Sequence, residues 1–268
     1  MKLPRKLRTW IFALLLGVLC LPEIFVRGSY SEQHRDSIGV GPSARFPLGT
    51  DDLGRDRFAR LLYAARTSLL LAAAAALLSS AIAGIVGCVA GWIGGWTERI
   101  VIAGVDLFVS LPWLFALLTV RALLPLDVSP GASVAITFLM LGLLGWAAPS
   151  RVVRARVRNN AAADFMLQAR ASGATPMRLL FRQLIPNMKP VLRAQFLLAI
   201  PIFVLTEANL GVLGLGVAEP LPSLGSMLRE LQDYSYVAAR PYAIAPAIVL
   251  AVSVTILQHV VSRREVMT

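Results

Sequence analysis

Residues 67–97, TSLLLAAAAALLSSAIAGIVGCVAGWIGGWT, run for 31 positions without a formal charge. About 20 apolar residues suffice to carry a helix across the hydrocarbon core of a bilayer, so this stretch reads as a membrane span. The rest of the chain agrees: 57% of its 268 residues are hydrophobic and 15% charged, too apolar for a soluble domain and far from a disordered composition. Working outward, hydropathy marks six candidate helices, at 10–26, 67–92, 100–120, 131–149, 191–208 and 242–261. The fifth has only 13 uncharged residues between Arg193 and Glu207, so both charged side chains are expected to snorkel toward the interfaces.

Six crossings put both termini on one side, and Lys2, Arg5, Lys6 and Arg8 before the first apolar run mark that side as the cytoplasm. The net charge of +11 then distributes unevenly, with a balance of +13 inside, −1 outside and Asp106 within the third span. The positive excess is therefore topological and suits anionic lipid headgroups. Nucleic acid is excluded as a partner because no aromatic-interleaved basic motif accompanies the charge. A signal peptide is disfavoured: the 11 apolar residues 11–21 are followed by Pro22-Glu23-Ile24-Phe25, which lacks a small-x-small cleavage pattern. Cys20 and Cys88 fit neither a disulfide scaffold nor a metal or redox motif, and read as small core hydrophobes.

Two connecting segments carry information. In the outside segment, Phe46-Pro47-Leu48-Gly49-Thr50-Asp51-Asp52-Leu53-Gly54-Arg55-Asp56 is turn-rich, and Leu53, Leu61 and Leu62 then recur near helical spacing among Arg57, Arg60 and Arg66. A short interfacial helix is expected there, with Thr50 or Asp51 capping its N-terminus and aspartates pairing with arginines. Three aspartates invite a calcium site, but the spacing is not that of a calcium loop and no distal glutamate completes it. In the cytoplasmic segment 151–190, the run Asp164-Phe165-Met166-Leu167-Gln168-Ala169-Arg170-Ala171-Ser172 is helical and stops at Gly173, which can take positive φ. Ala174 and Thr175 follow, then a second helix opens at Pro176 and runs to Pro186. The blander alternative is a connector lying on the headgroups.

This segment resembles the EAA loop of permease subunits of ATP-binding-cassette importers, in which a glycine stands 13 residues before a proline, as Gly173 does before Pro186. The stretch from Pro47 to Asp56, with Leu61-Leu62-Tyr63 and Ala65-Arg66-Thr67-Ser68-Leu69, is similar to the dipeptide and oligopeptide permease family. So is Glu207-Ala208 followed by Leu213-Gly214-Leu215-Gly216-Val217, Pro220, Pro222, Ser223 and Gly225. The resemblance covers roughly residues 46–265, three motifs in the family's order. It departs where the family's loop begins Glu-Ala-Ala and this chain has Leu167-Gln168-Ala169, with Asp164 one turn earlier keeping an acidic group. Phe46 stands where the family commonly has histidine, and Leu224 where it has tryptophan.

The resemblance implies an all-α polytopic membrane protein with six transmembrane helices and a cytoplasmic EAA-type coupling loop, in a bacterial or archaeal cytoplasmic membrane. Residues 1–66 would hold the N-terminal tail, first span and extracytoplasmic segment, and 67–268 a five-helix core with the coupling loop at 151–190. It implies a transport permease for dipeptides, oligopeptides or related solutes, working by alternating access. Its partners would be a second homologous permease subunit, two ATPase subunits and an extracytoplasmic solute-binding protein. The chain has no G-x-x-x-x-G-K-[ST] loop, so ATP and magnesium would be used by the ATPases and no cofactor by this chain. Asp164, Gln168, Ala169, Arg170, Gly173, Ala174 and Pro186 are the implied ATPase-coupling residues.

A self-sufficient ion- or proton-coupled transporter is the alternative, and would need ionisable groups inside the bilayer. Asp106 is the carboxylate well within a span, and pairing with a basic neighbour is expected for it. A membrane enzyme finds no support, since His34 and His259 have no partner motif. Gly84, Gly87, Gly91, Gly94 and Gly95 suggest close helix packing. Pro201 permits a kink in the fifth span. Pro201, Glu207, Asn209, Gly214 and Gly216 are candidate pathway or gate residues, the glycine-rich 209–216 being either an outer gate, a docking rim or a flexible turn.

Overall fold

The computed structural model describes residues 29–123 and 129–265. The expected first span, 10–26, and Cys20 lie outside the described residues, which are helical, contain no strand and have one isolated bridge, between Thr50 and Asp56. The helices are α1 (Arg57–Ile93), α2 (Gly95–Ser110), α3 (Trp113–Leu123), α4 (Pro130–Leu144), α5 (Ala147–Ala161), α6 (Asp164–Ala171), α7 (Pro176–Leu179), α8 (Ile185–Val212), α9 (Leu224–Arg229), α10 (Tyr234–Ala239) and α11 (Ala245–Glu265). Four stretches are long and apolar enough to cross a membrane: Arg57–Ile93, Pro130–Ala161, Pro176–Val212 and Pro241–His259. The pair α2 and α3 makes a fifth if counted as one span.

Four boundaries differ from those expected. The span expected at 131–149 runs on through α4 and α5 to Ala161, because Pro149 falls in the first turn of α5, where a missing N–H breaks no ladder. The short interfacial helix is not a separate element, because Arg57 opens α1, whose 37 residues contain no proline to stop them. Arg57 and Arg60 are each 2% exposed, so they lie against protein rather than headgroups. The span expected at 100–120 is broken instead of straight, α2 and α3 meeting at 83°. Leu111 is extended (φ −73°, ψ 131°), as a residue preceding proline is pushed to be, and Pro112 has no N–H to continue the ladder. The helix opening at Pro176 does not end at Pro186 but continues to Val212, through Pro190 and Pro201. A π-helical turn at Leu180–Leu184 makes room for it: Ile185 N–H donates to the Leu180 carbonyl, five residues back, which widens the ladder where the ring of Pro186 would meet the preceding turn.

The chain forms two compact units. One takes the described parts of Met1–Ala73, Val120–Phe138 and Ile200–Thr268, the other Ala74–Thr119 and Leu139–Ala199. In the second, the small residues of α1 let α5 and α8 approach. A Cβ on Gly87 would lie 2.7 Å from both the Ser150 carbonyl and Val153 Cβ, one on Gly91 2.8 Å from Val157 Cβ, and one on Gly84 3.1 Å from Leu192. Around this contact Val153, Val157, Leu184 and Met188 are fully buried, with Cys88, Trp92, Leu180, Val191 and Leu192 packed on them. Gly94 and Gly95 do not share that role. They turn the chain between α1 and α2 with φ of +68° and +58°, and nothing lies within 4 Å of a Cβ on Gly95.

Candidate functional site

The expected coupling segment lies in the second unit. α6 carries Asp164 in its first turn and Arg170 in its last, each complementing the helix dipole. It ends in a Schellman arrangement: Gly173, at φ +79°, donates to the Arg170 carbonyl and Ala174 to the Ala169 carbonyl, at 3.0 and 3.1 Å. Thr175 then caps α7, its hydroxyl accepting from Arg178 N–H, with Pro176 in the first turn. Met166 and Leu179 are buried and anchor the hairpin, while Phe165 (37% exposed), Leu167 (52%), Met177 (68%) and Phe181 (62%) stand out from it. Asp164, Gln168, Arg170, Gly173 and Pro186 are also exposed. A short helix and the first turns of the long helical stretch Pro176–Val212, joined by a tight turn, therefore present apolar and basic side chains outward from a fixed base.

The aspartate-rich motif lies in the first unit and is a set of interlocked polar contacts. Gly49 and Gly54 take φ of +67° and +74°, and a Cβ on either would strike a backbone carbonyl, of Val40 and His34 respectively. Thr50 is fully buried; its hydroxyl accepts from Val40 N–H at 2.9 Å and donates to the Ser37 carbonyl. Asp51 accepts from the N–H groups of Leu53 and Arg55 and pairs with the Arg55 guanidinium at 2.7 Å and with Arg60 at 3.4 Å. Both arginines then reach Glu219, at 2.6 and 2.9 Å. Neither Thr50 nor Asp51 caps α1, since both are consumed in the turn; Asp56 does, accepting from Phe58 N–H at 2.9 Å. Asp52 pairs with Arg240, and Arg57 with Glu230 and the Tyr236 hydroxyl. The expected aspartate–arginine pairing is thus present.

Electrostatics follow from these contacts. Burial pushes the Glu219 carboxyl up, but Arg60 and then Arg55 outweigh it and hold the group below the usual carboxylate range. Burial pushes the Asp56 carboxyl up, and the Phe58 and Ala59 N–H groups only partly offset it. Among the described residues no three His, Cys, Asp or Glu side chains converge as metal ligands.

The candidate pathway residues are placed differently from expectation. Glu207 does not snorkel: it is fully buried, accepting at Oε2 from the Ser68 hydroxyl at 2.9 Å, and the same hydroxyl accepts from Leu224 N–H. This partner inside the unit replaces the interface that a carboxylate would otherwise need. Residues 209–216 are held by backbone contacts within the first unit. α8 continues to Val212, Leu215 N–H donates back to the Leu210 carbonyl at 2.8 Å, and Gly211 packs so closely on Gly225 and Gly216 that no Cβ would fit. Pro201 is buried, and Asn209 and Gly214 are exposed. In the second unit Asp106 is paired with Arg151, and Glu98 with Arg154 and Arg158.

Several residues that organise these contacts have no signal in the sequence. Arg121, 3% exposed, donates to the Leu215 carbonyl and the Ser133 hydroxyl, both at 3.1 Å, and so pins the 209–216 stretch. Glu219, Glu230, Tyr236 and Ser68 likewise act across more than 130 positions of chain. Clustered arginines beside aspartates were the only available hint, and they indicate pairing without naming the partner.

Residues 83–265 match the family described as binding-protein-dependent transport system inner membrane component. The chain is 32% identical over 220 residues to the oligopeptide transport system permease protein of Bacillus subtilis, covering 82% of this chain and 70% of the relative. It is 33% identical over 215 residues to the dipeptide transport system permease protein of the same organism, covering 80% and 64%. With the di/tripeptide transport system permease protein of Pseudomonas aeruginosa it shares 33% identity over 210 residues, 76% of this chain and 67% of that one.

Proposed function

This chain belongs to the family of binding-protein-dependent transport system inner membrane components, and on that premise we propose that it is the transmembrane permease subunit of an ATP-driven peptide importer. It is a multi-pass membrane protein of that family, and its role is translocation rather than catalysis. ATP and magnesium are used by partner ATPases, and a solute-binding protein delivers the cargo. Peptides are the solute class for which the relatives are named. Six spans, with 49–56 outside and 151–190 inside, complete the arrangement, because that orientation places the +13 balance in the cytoplasm. The complex holds two permease subunits and two ATPases.

The observation that carries the coupling mechanism is the α6–α7 hairpin. It fixes Met166 and Leu179 in the permease and leaves Phe165, Leu167, Met177 and Phe181 exposed, an apolar knob with a basic surround for a groove on the ATPase. Asp164, Gln168, Ala169, Arg170, Gly173 and Ala174 shape that knob, and Pro186, with the π-turn, sets how the following helix receives its motion. Closure of the ATPases moves the hairpin as a lever and the membrane helices rock access from one side to the other. Alternating access leaves Pro201, Glu207, Asn209, Gly214 and Gly216 as supports of the pathway wall rather than a mobile gate.

Substitution of Gly173 tests this. Its φ of +79° strains a β-branched residue by about 1–3 kcal/mol, while the absence of any atom within 4 Å of a Cβ means no steric clash with the core. Gly173→Val is expected to reach the membrane at near-normal abundance, abolish ATP-dependent peptide uptake and weaken ATPase co-purification. Full uptake per inserted permease, with the ATPases still bound, overturns the coupling role.

A further inference from the structure

On α2 the residues Gly95, Glu98, Arg99, Ile102, Ala103 and Asp106 recur at helical spacing and, with Arg154 and Arg158 of α5, line a cavity of about 530 Å³. One carboxylate, Glu98, is shared by two guanidiniums: Arg154, and Arg158 at 3.0 Å. Asp106 is already engaged by Arg151. The lining therefore keeps an uncompensated positive charge, to which Arg99 adds another, its guanidinium resting 5.5 Å over the Trp96 ring. Beside this basic stripe runs a second one: Trp96 (76% exposed), Ile100 (67%) and Leu107 (72%) lie within about 40° of each other around α2 at 100° per residue. Arg99 and Ala103 stand where the two stripes meet.

We propose that this cavity is a binding site for the headgroup of an anionic phospholipid. Its phosphodiester would be held by Arg99, Arg158 and Arg154, and its acyl chains would lie along Trp96, Ile100 and Leu107. A soluble phosphate-bearing molecule would use the arginines but has no use for the apolar stripe, whereas an amphiphile uses both. A large pocket, a surplus of arginine over carboxylate and an aromatic ring at the border are the features that a charged headgroup at a membrane interface requires. The site rests on the membrane-spanning reading above and goes beyond it, since transport itself does not call for a lipid at this position.

The test places a photocrosslinking side chain at Ile102 of the full chain, in its transporter complex, in phosphatidylcholine nanodiscs. A minor fraction of the lipid is radiolabelled phosphatidylglycerol, or, in the paired sample, radiolabelled phosphatidylcholine. Capture of phosphatidylglycerol is expected to exceed that of phosphatidylcholine by roughly tenfold, because each arginine near an anionic surface contributes a several-fold bias. Arg99→Gln with Arg158→Gln should bring capture near parity, and Arg99→Lys with Arg158→Lys should keep most of the preference. Excess inorganic phosphate should leave capture unchanged. Equal capture of the two lipids by the unsubstituted chain overturns the site, as does displacement by phosphate, which would make it a pocket for free phosphate. Crosslinking to protein in place of lipid would mark the face as a subunit contact instead. Recovery of the chain with the disc reads the membrane premise separately: a chain that stays outside the disc overturns that premise and the lipid site with it.

Discussion

Arg55 and Arg60 share Asp51 and Glu219, and single substitutions here separate a charge effect from a packing effect. Glu219 has a folded pKa held below its unfolded value of about 4.3, so its contribution to stability is fully present above that value and is lost as pH falls through the lower folded value. Amide protection factors in 49–60, taken relative to the intrinsic exchange rate at each pH, should fall on acidification through that window, and Glu219→Gln should show lower protection than the unsubstituted chain at neutral pH and a smaller acid response. Glycines at this scale are not equivalent either. Gly211→Ala should lower the abundance of folded permease, because its Cβ would overlap the Gly225 backbone, whereas Gly173→Val acts on coupling because the space beside it is empty. At Glu207 the observed contact needs an acceptor: Glu207→Gln, which keeps one, should hold thermal stability close to the unsubstituted level, and Glu207→Leu, leaving the Ser68 hydroxyl without its acceptor, should lower it by about 1–3 kcal/mol.

Among elements, α1 depends on small residues at its contact with α5. Gly87→Leu forces a side chain into space held by Val153 and the Ser150 carbonyl, an overpacking cost of about 1–3 kcal/mol. A detergent melting curve should show a lowered midpoint, and Gly95→Ala, where nothing opposes a Cβ, should be affected only through its positive φ. The segment after Gly173 shows how a local rule is overridden. Pro186 and Pro190 each argue for a helix end, yet a π-turn placed before them lets one helix serve both the exposed hairpin and the apolar stretch to Val212.

For the whole molecule, orientation is the property on which transport depends. Single cysteines at the exposed positions Ser43 and Ser172, in a background with Cys20 and Cys88 replaced by alanine, should react differently with a membrane-impermeant thiol reagent in intact cells. Position 43 should label and position 172 should not. The reverse pattern would invert the charge balance across the membrane and with it the permease reading.

Composition and hydropathy by themselves established a polytopic helical membrane protein, and the motifs around Pro47–Asp56, Gly173 and Glu207–Gly225 established the family, because both depend on residues close in sequence. The turn at Gly173 was legible for the same reason: the left-handed geometry of a helix end has a local residue preference. Tertiary structure alone decided that Arg57 and Arg60 are buried, that Glu207 is satisfied by Ser68, and that Arg121 holds the stretch before Val217. The physical reason is that burying a charge is costly unless a partner waits for it, and those partners stand 94 to 179 positions away, where no periodicity or spacing can announce them.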